Sequence, residues 1–186
     1  MAAEARVAVL LSGRGSNMMA LVEQASGYEV VLVASDNPGA PGLGWAAAQD
    51  IATFAISPRE IGRRAMEDAF LAQFAKHDVQ LVALAGYMRL LTPGFIDTMR
   101  GAILNIHPSL LPKYKGLDTH ARAIAAGDTV AGCSVHVVTE ELDGGAVLGR
   151  AEVPILSGDD ADTLAARVLK AEHALYPRIL TEFVCR

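Results

Sequence analysis

Apolar residues along this chain fall into short continuous runs, and the stretches between them carry a helical period. Arg6–Leu11, Glu29–Ala34 and Val79–Ala85 are nearly unbroken and of strand length, as expected for strands covered on both faces, and Thr53–Ile56 reads as a shorter one. Met18, Met19, Leu21 and Val22 begin a helix, Leu43–Asp50 suits a short one, and Arg63–His77 carries Ala65, Met66, Ala69, Phe70 and Phe74 at helical spacing. Pro93 opens another short helix over Gly94–Met99. Gly101–Leu104 then leads a strand toward Asn105 and His107, and His120–Ala126 predicts a helix. Ala131–Val138 alternates, with Cys133, Val135 and Val137 on one side and Ser134, His136 and Val138 on the other, which predicts a half-covered strand near a sheet edge. Ala146–Val153 returns as a strand, and Asp159-Asp160 starts a last amphipathic helix with Leu164, Val168, Ala171 and Leu175 on its apolar side. Strands alternating with helices predict an α/β fold: an open, mostly parallel sheet with helices on both faces and one antiparallel strand in the C-terminal half. No repeat or linker interrupts the pattern, so residues 1–186 are expected to form a single domain.

Three polar interruptions should open at the carboxyl ends of the strands, where such sheets bind ligands. The first, Ser12-Gly13-Arg14-Gly15-Ser16-Asn17, lies between a strand and a helix, so its backbone N–H groups and the helix dipole face a common point. It is neither the dinucleotide fingerprint nor the Walker loop, which favours a single phosphate monoester, although an ordinary tight turn uses the same residues. The second is Gly86–Leu91. The third follows Leu104: Asn105 and His107 fall on one face of a strand that Pro108 terminates, with Lys113, Lys115 and Gly116 on the loop beyond. An amide donor beside an imidazole can hold a carbonyl oxygen as it becomes an oxyanion, while a histidine that merely caps a loop would look the same.

Composition narrows the partners. The 186 residues are 52% hydrophobic and 20% charged, and the net charge is −5 with no block of like charge, which argues against a general nucleic-acid surface. The apolar runs are too short for a bilayer, which needs about 20 residues. The N-terminus does not read as a secretory signal, so a cytoplasmic protein is expected. Cys133 and Cys185 have no metal-ligand spacing and read as reduced thiols, and five scattered histidines offer no metal site.

SGRGSN at 12–17, LAGYMRLL at 84–91, LNIHPSLLPKYKGLDTH at 104–120 and TEELDGG at 139–145 together resemble the phosphoribosylglycinamide formyltransferases of the folate-dependent formyltransferase group, over nearly the whole chain. The resemblance implies a Rossmann-like formyltransferase fold. It also implies transfer of a formyl group from 10-formyltetrahydrofolate, as co-substrate, to the primary amine of glycinamide ribonucleotide in purine biosynthesis. No metal, membrane or nucleic acid is involved, and the protein would be a monomer or a homodimer.

By the same resemblance, Asn105 and His107 stabilise the oxyanion and Asp143 relays protons, with no covalent intermediate. Asp143 would also favour the cationic form of His107 by proximity. Gly15, Ser16 and Asn17 match phosphate-binding positions, Glu172 an acid on the ribose hydroxyls, and Pro108 a contact to the same substrate. On the folate side, Met88, Arg89, Leu90 and Leu91 match a backbone segment that pairs with the pterin. Asn105 and Val138, Thr139, Glu140 and Asp143 match the residues that close over it. Arg63 matches an arginine on the glutamate tail, with Arg64 as rival. Met88 and Leu90 are expected to be partly core. Two departures stand out: Asp118 replaces a histidine near the site, adding a carboxylate near Asp143, and Leu169 replaces a polar substrate contact. Methionyl-tRNA formyltransferase, formyltetrahydrofolate deformylase, sugar-nucleotide N-formyltransferase and a non-catalytic phosphate- or folate-binding domain are the rival readings.

Overall fold

A computed structural model describes residues 4–186. Its elements in chain order are β1 (Ala5–Leu11), α1 (Ser16–Glu23), β2 (Tyr28–Ser35), α2 (Pro41–Ala48), β3 (Ala52–Ala55), α3 (Pro58–Ile61), α4 (Arg63–Lys76), β4 (Leu81–Leu84), α5 (Pro93–Thr98), β5 (Ile103–His107), α6 (Thr119–Ala125), β6 (Val130–Val137), β7 (Val147–Pro154) and α7 (Ala161–Val184). One seven-stranded sheet runs β3-β2-β1-β4-β5-β6-β7. The first five strands are parallel, β6 is antiparallel to both its neighbours, and so β6 alone is reversed. The continuous apolar runs are the buried strands, as their pattern required.

Two cores flank the sheet. Met18 and Leu21 of α1, Ala46 of α2 and Leu164, Val168, Leu175 and Ile179 of α7 pack on one face. Met66, Phe70 and Phe74 of α4 and Phe95 of α5 pack on the other, with edge-on ring contacts at Phe54–Phe70 and Phe74–Phe95. The strand order reverses between β1 and β4, and there Ser12 N–H donates to Gly86 O at 3.1 Å. The first two polar loops therefore meet at the topological switch point, where sheets of this kind bind ligands. α7 is registered against the same edge by the buried Tyr176, whose hydroxyl faces the carbonyls of Leu84 (3.1 Å) and Leu104 (3.0 Å).

Three expectations change. β6 is not half-covered, since Ser134 and His136 are buried and β7 forms the edge. The reason is the loop after β5, which folds over that face: Leu111 N–H donates to Ser134 Oγ (3.0 Å) and Ser134 Oγ donates to Ser109 O (2.7 Å). α1 starts at Ser16 rather than at Met18, with Gly15 as N-cap at φ 77°, so two of the loop's polar residues belong to its first turn. α3 was not anticipated; four residues are too few to show a period, although Ser57-Pro58 is a helix-start signal and Ser57 Oγ accepts from Arg59 N–H. Among the described residues, no helix is long and apolar enough to cross a membrane.

Candidate active site

The first cluster is built from α1 and α7. A cleft of about 240 Å³ is lined by Gly13, Arg14, Gly15, Ser16, Asn17 and Leu169, with Ala85 and Gly86 behind. Gly15 cannot carry a side chain easily: besides its positive φ, a Cβ there would lie 3.0 Å from Leu11 Cδ2 and from Met18 Cε. Asn17 Nδ2 donates to Glu172 Oε2 at 2.7 Å, and Asn17 Oδ1 is buried with no partner. Two residues expected at different parts of one substrate thus touch. Burial pushes the Glu172 carboxyl above its ordinary range, with the Asn17 amide partly offsetting it. Glu172 is 7% exposed, not a surface acid. It also raises the buried Cys133 thiol, which burial chiefly pushes up to about 12.

The second cluster forms where β5 and β6 run side by side. Asn105 and His136 are cross-strand partners, with Nδ2 and Nε2 3.2 Å apart. His136 Nδ1 lies 3.0 Å from Val137 O, which can only accept. The consistent assignment is His136 protonated at Nδ1, with Nε2 accepting from Asn105. One amide hydrogen of Asn105 is thereby used and the other is free. His107 Nε2 lies 3.0 Å from Tyr114 O, so that nitrogen donates and Nδ1 faces Asp143.

Asp143 sits between the two rings, 3.5 Å from His107 Nδ1 and 3.6 Å from His136 Nε2, and Oδ2 accepts from Gly116 N–H at 2.9 Å. Its loop is clasped to the preceding one by Lys115 Nζ and Glu141 Oε1 at 2.7 Å. Burial, the largest single influence, pushes the Asp143 carboxyl up, but the hydrogen bond from Gly116 N–H and the neighbouring His107 act against it, and the carboxyl is held below its ordinary value. Sequence reasoning missed His136. The signal available was register: pairing NIH of β5 against SVH of β6 places it opposite Asn105.

The remaining site residues lie around these clusters. Met88 and Leu90 are 69% and 63% exposed, not partly core, because the segment bulges out between β4 and α5. Leu91 is buried. Arg89 Nε donates to Asp36 Oδ2 at 2.5 Å. The Arg63 guanidinium donates to Leu90 O and faces Glu67 at 3.5 Å, while Arg64 is exposed. Val138 N–H donates to Ile103 O at 2.8 Å, and Thr139 and Glu140 are exposed on the loop to Asp143. Pro108 lines a different cleft, of about 360 Å³, with Tyr114, Thr119, His120 and Ala123. Asp118 is the exposed N-cap of α6, at φ 57°. Among the described residues, no group of three His, Cys, Asp or Glu side chains could hold a metal ion.

Comparison with known proteins adds to this geometry. The formyl transferase family model matches residues 5–180. The phosphoribosylglycinamide formyltransferase of Escherichia coli K12 is 41% identical over 182 residues, covering 95% of this chain and 86% of that protein. The trifunctional purine biosynthetic protein adenosine-3 of Drosophila melanogaster is 45% identical over 186 residues, and there the chain spans only 14% of the relative's length. The crystal structure of phosphoribosylglycinamide formyltransferase from Brucella melitensis superimposes with a TM-score of 0.94 at 50% identity, covering 99% of this chain and 97% of that one.

Proposed function

The chain belongs to the formyl transferase family, among the phosphoribosylglycinamide formyltransferases, and on that premise we propose that it moves a formyl group from 10-formyltetrahydrofolate to the primary amine of glycinamide ribonucleotide. Residues 1–186 act as one formyltransferase domain in this reading, which is supported chiefly by the convergence of Asn105, His107 and Asp143.

The amine attacks the formyl carbon, and the formyl oxygen takes on negative charge. Asn105 donates its free amide hydrogen to that oxygen. His107, with Nε2 tied to Tyr114 O, presents Nδ1 to the same oxygen and donates when that nitrogen carries a proton. A single preorganised donor of this kind is worth about 3–4 kcal/mol. Asp143, held ionised by its neighbours, accepts the proton that the attacking amine must lose and relays it through water to the departing folate nitrogen. The bonds balance without a covalent enzyme intermediate: C–N forms to the amine, C–N breaks to the folate, and one proton passes between the nitrogens.

The substrate phosphate is held by the N–H groups of Gly15, Ser16 and Asn17 at the start of α1. The ribose hydroxyls meet Glu172 and the unpartnered Asn17 Oδ1, and Pro108 contacts the glycinamide. The pterin pairs with the backbone at Met88–Leu91, beneath the loop Val138–Asp143. Exposed Met88 and Leu90 give the folate side an apolar rim of the kind an aromatic ligand needs.

A formyl-transfer assay with glycinamide ribonucleotide, run beside a water-only control, tests this reading. Formyl should leave the folate only when the amine is present. Release with water alone would make the protein a deformylase, and no release in either arm would make it a binding domain.

A further inference from the structure

The segment Tyr87–Thr92 protrudes from the sheet edge with Met88, Arg89 and Leu90 exposed, yet most of its polar groups are tied down by two buried carboxylates on other elements. Asp36, just past β2, holds the near end. Ser12 Oγ donates to Asp36 Oδ1 at 2.6 Å and accepts from Met88 N–H at 3.0 Å, and Arg89 Nε donates to Asp36 Oδ2 at 2.5 Å. Glu67, in the middle of α4, holds the far end. Its carboxylate accepts from Thr92 N–H at 3.0 Å and from the Thr92 hydroxyl, and it faces Arg63, whose guanidinium donates to Leu90 O. Tyr87 lies between the two acids: burial, then Asp36, then Glu67 raise its hydroxyl, which has no partner.

An acid at this depth costs free energy unless its acceptors are filled, and both are filled by this one segment and its tethers. We propose that Asp36 and Glu67 are positioning residues that clamp the Met88–Leu91 backbone from both ends, so that it presents fixed donors and acceptors to the folate. The proposal rests on the folate reading above. It also gives Arg63 a second task, holding Leu90 O rather than only meeting a ligand. Because Ser12 belongs to the phosphate loop, the Asp36 end couples the two substrate subsites, whereas the Glu67 end touches the folate side alone.

Glu67→Gln and Asp36→Asn test the clamp, with melting curves to confirm folding and Thr92→Val as the milder variant if Glu67→Gln does not fold. Binding of a reduced folate and of glycinamide ribonucleotide is measured separately, with amide exchange at residues 88–92. Glu67→Gln should weaken folate binding about tenfold, leave ribonucleotide binding within about twofold, and speed exchange at 88–92 but not in β1 or β4. Asp36→Asn should weaken both ligands, and Glu67→Asp should restore part of the folate affinity. Equal losses for both ligands in Glu67→Gln, or unchanged exchange at 88–92, would overturn the clamp. If the unmutated chain shows no saturable folate binding, the folate reading itself fails, and this is seen before any variant is made.

Discussion

Asn105 and His136 face each other across β5 and β6, amide nitrogen to imidazole nitrogen at 3.2 Å, with His136 anchored to the carbonyl of Val137. The ring holds the amide in one orientation and leaves a single hydrogen free, the one proposed to meet the reacting oxygen. His136→Ala should therefore lower kcat about tenfold, less than the roughly 10²–10³-fold cost of removing an oxyanion donor outright. Steady-state kinetics should show both KM values nearly unchanged. A loss confined to KM would assign His136 to ground-state binding instead.

Asp143→Asn removes the proposed proton acceptor while keeping the acceptor oxygen for Gly116 N–H. Turnover should fall about 10²–10⁴-fold with ligand binding intact. The folded carboxyl lies below its unfolded value, so its stabilisation is complete above about pH 3.9 and is lost as pH falls through the folded value. Thermal melts should accordingly show the variant less stable than the parent at pH 7, with the gap narrowing as pH falls below about 3.9.

Glu172 has the opposite sign. Burial raises its carboxyl, so the folded state binds the proton more tightly than the unfolded chain, and stability declines as pH rises from about 4.3 through the folded value. Glu172→Gln keeps an acceptor for Asn17 Nδ2 and escapes that decline. Its melting temperature should gain on the parent between pH 4 and pH 7 while the KM for the ribonucleotide rises. A variant that loses ground over that range would contradict this account.

Asn17→Ala strips the phosphate end of a buried amide and leaves Glu172 without its partner. The KM for the phosphorylated amine should rise about tenfold or more, and that for the folate much less, while the melting temperature falls because a buried acceptor left unpaired costs about 1–3 kcal/mol. Equal effects on both substrates would detach this loop from the phosphate.

Asp118→His probes the first of the two departures from the family pattern. The groups that surround the Asp143 carboxyl are His136, Gly116 and His107, and Asp118 is exposed at the start of α6. The pH–rate profile should keep its acidic limb where the parent has it. A displaced limb would show that the aspartate reaches the site in the working enzyme.

Much of this protein is legible in one dimension because its physics is local. Unbroken apolar runs such as Val7–Leu11 can only be strands buried on both faces, and Pro108 can only end a ladder, so the α/β order and the three ligand loops follow from the chain itself. The motif residues Asn105, His107 and Asp143 were visible by resemblance, and Asn105 and His107 share a face by the two-residue period. Long-range packing alone decided the rest. Ser134 and His136 read as a solvent face because nothing in Ala131–Val138 says that the Pro108–Asp118 loop folds over it. Glu172 could have been any helix-surface acid until α7 packed on α1 and brought it to Asn17, 155 positions earlier. Likewise, Asp36 and Glu67 carry no local mark of function. Their part in holding Tyr87–Thr92 exists only because the sheet order places β1, β2 and β4 side by side, and a polar group's partners are set by proximity in space.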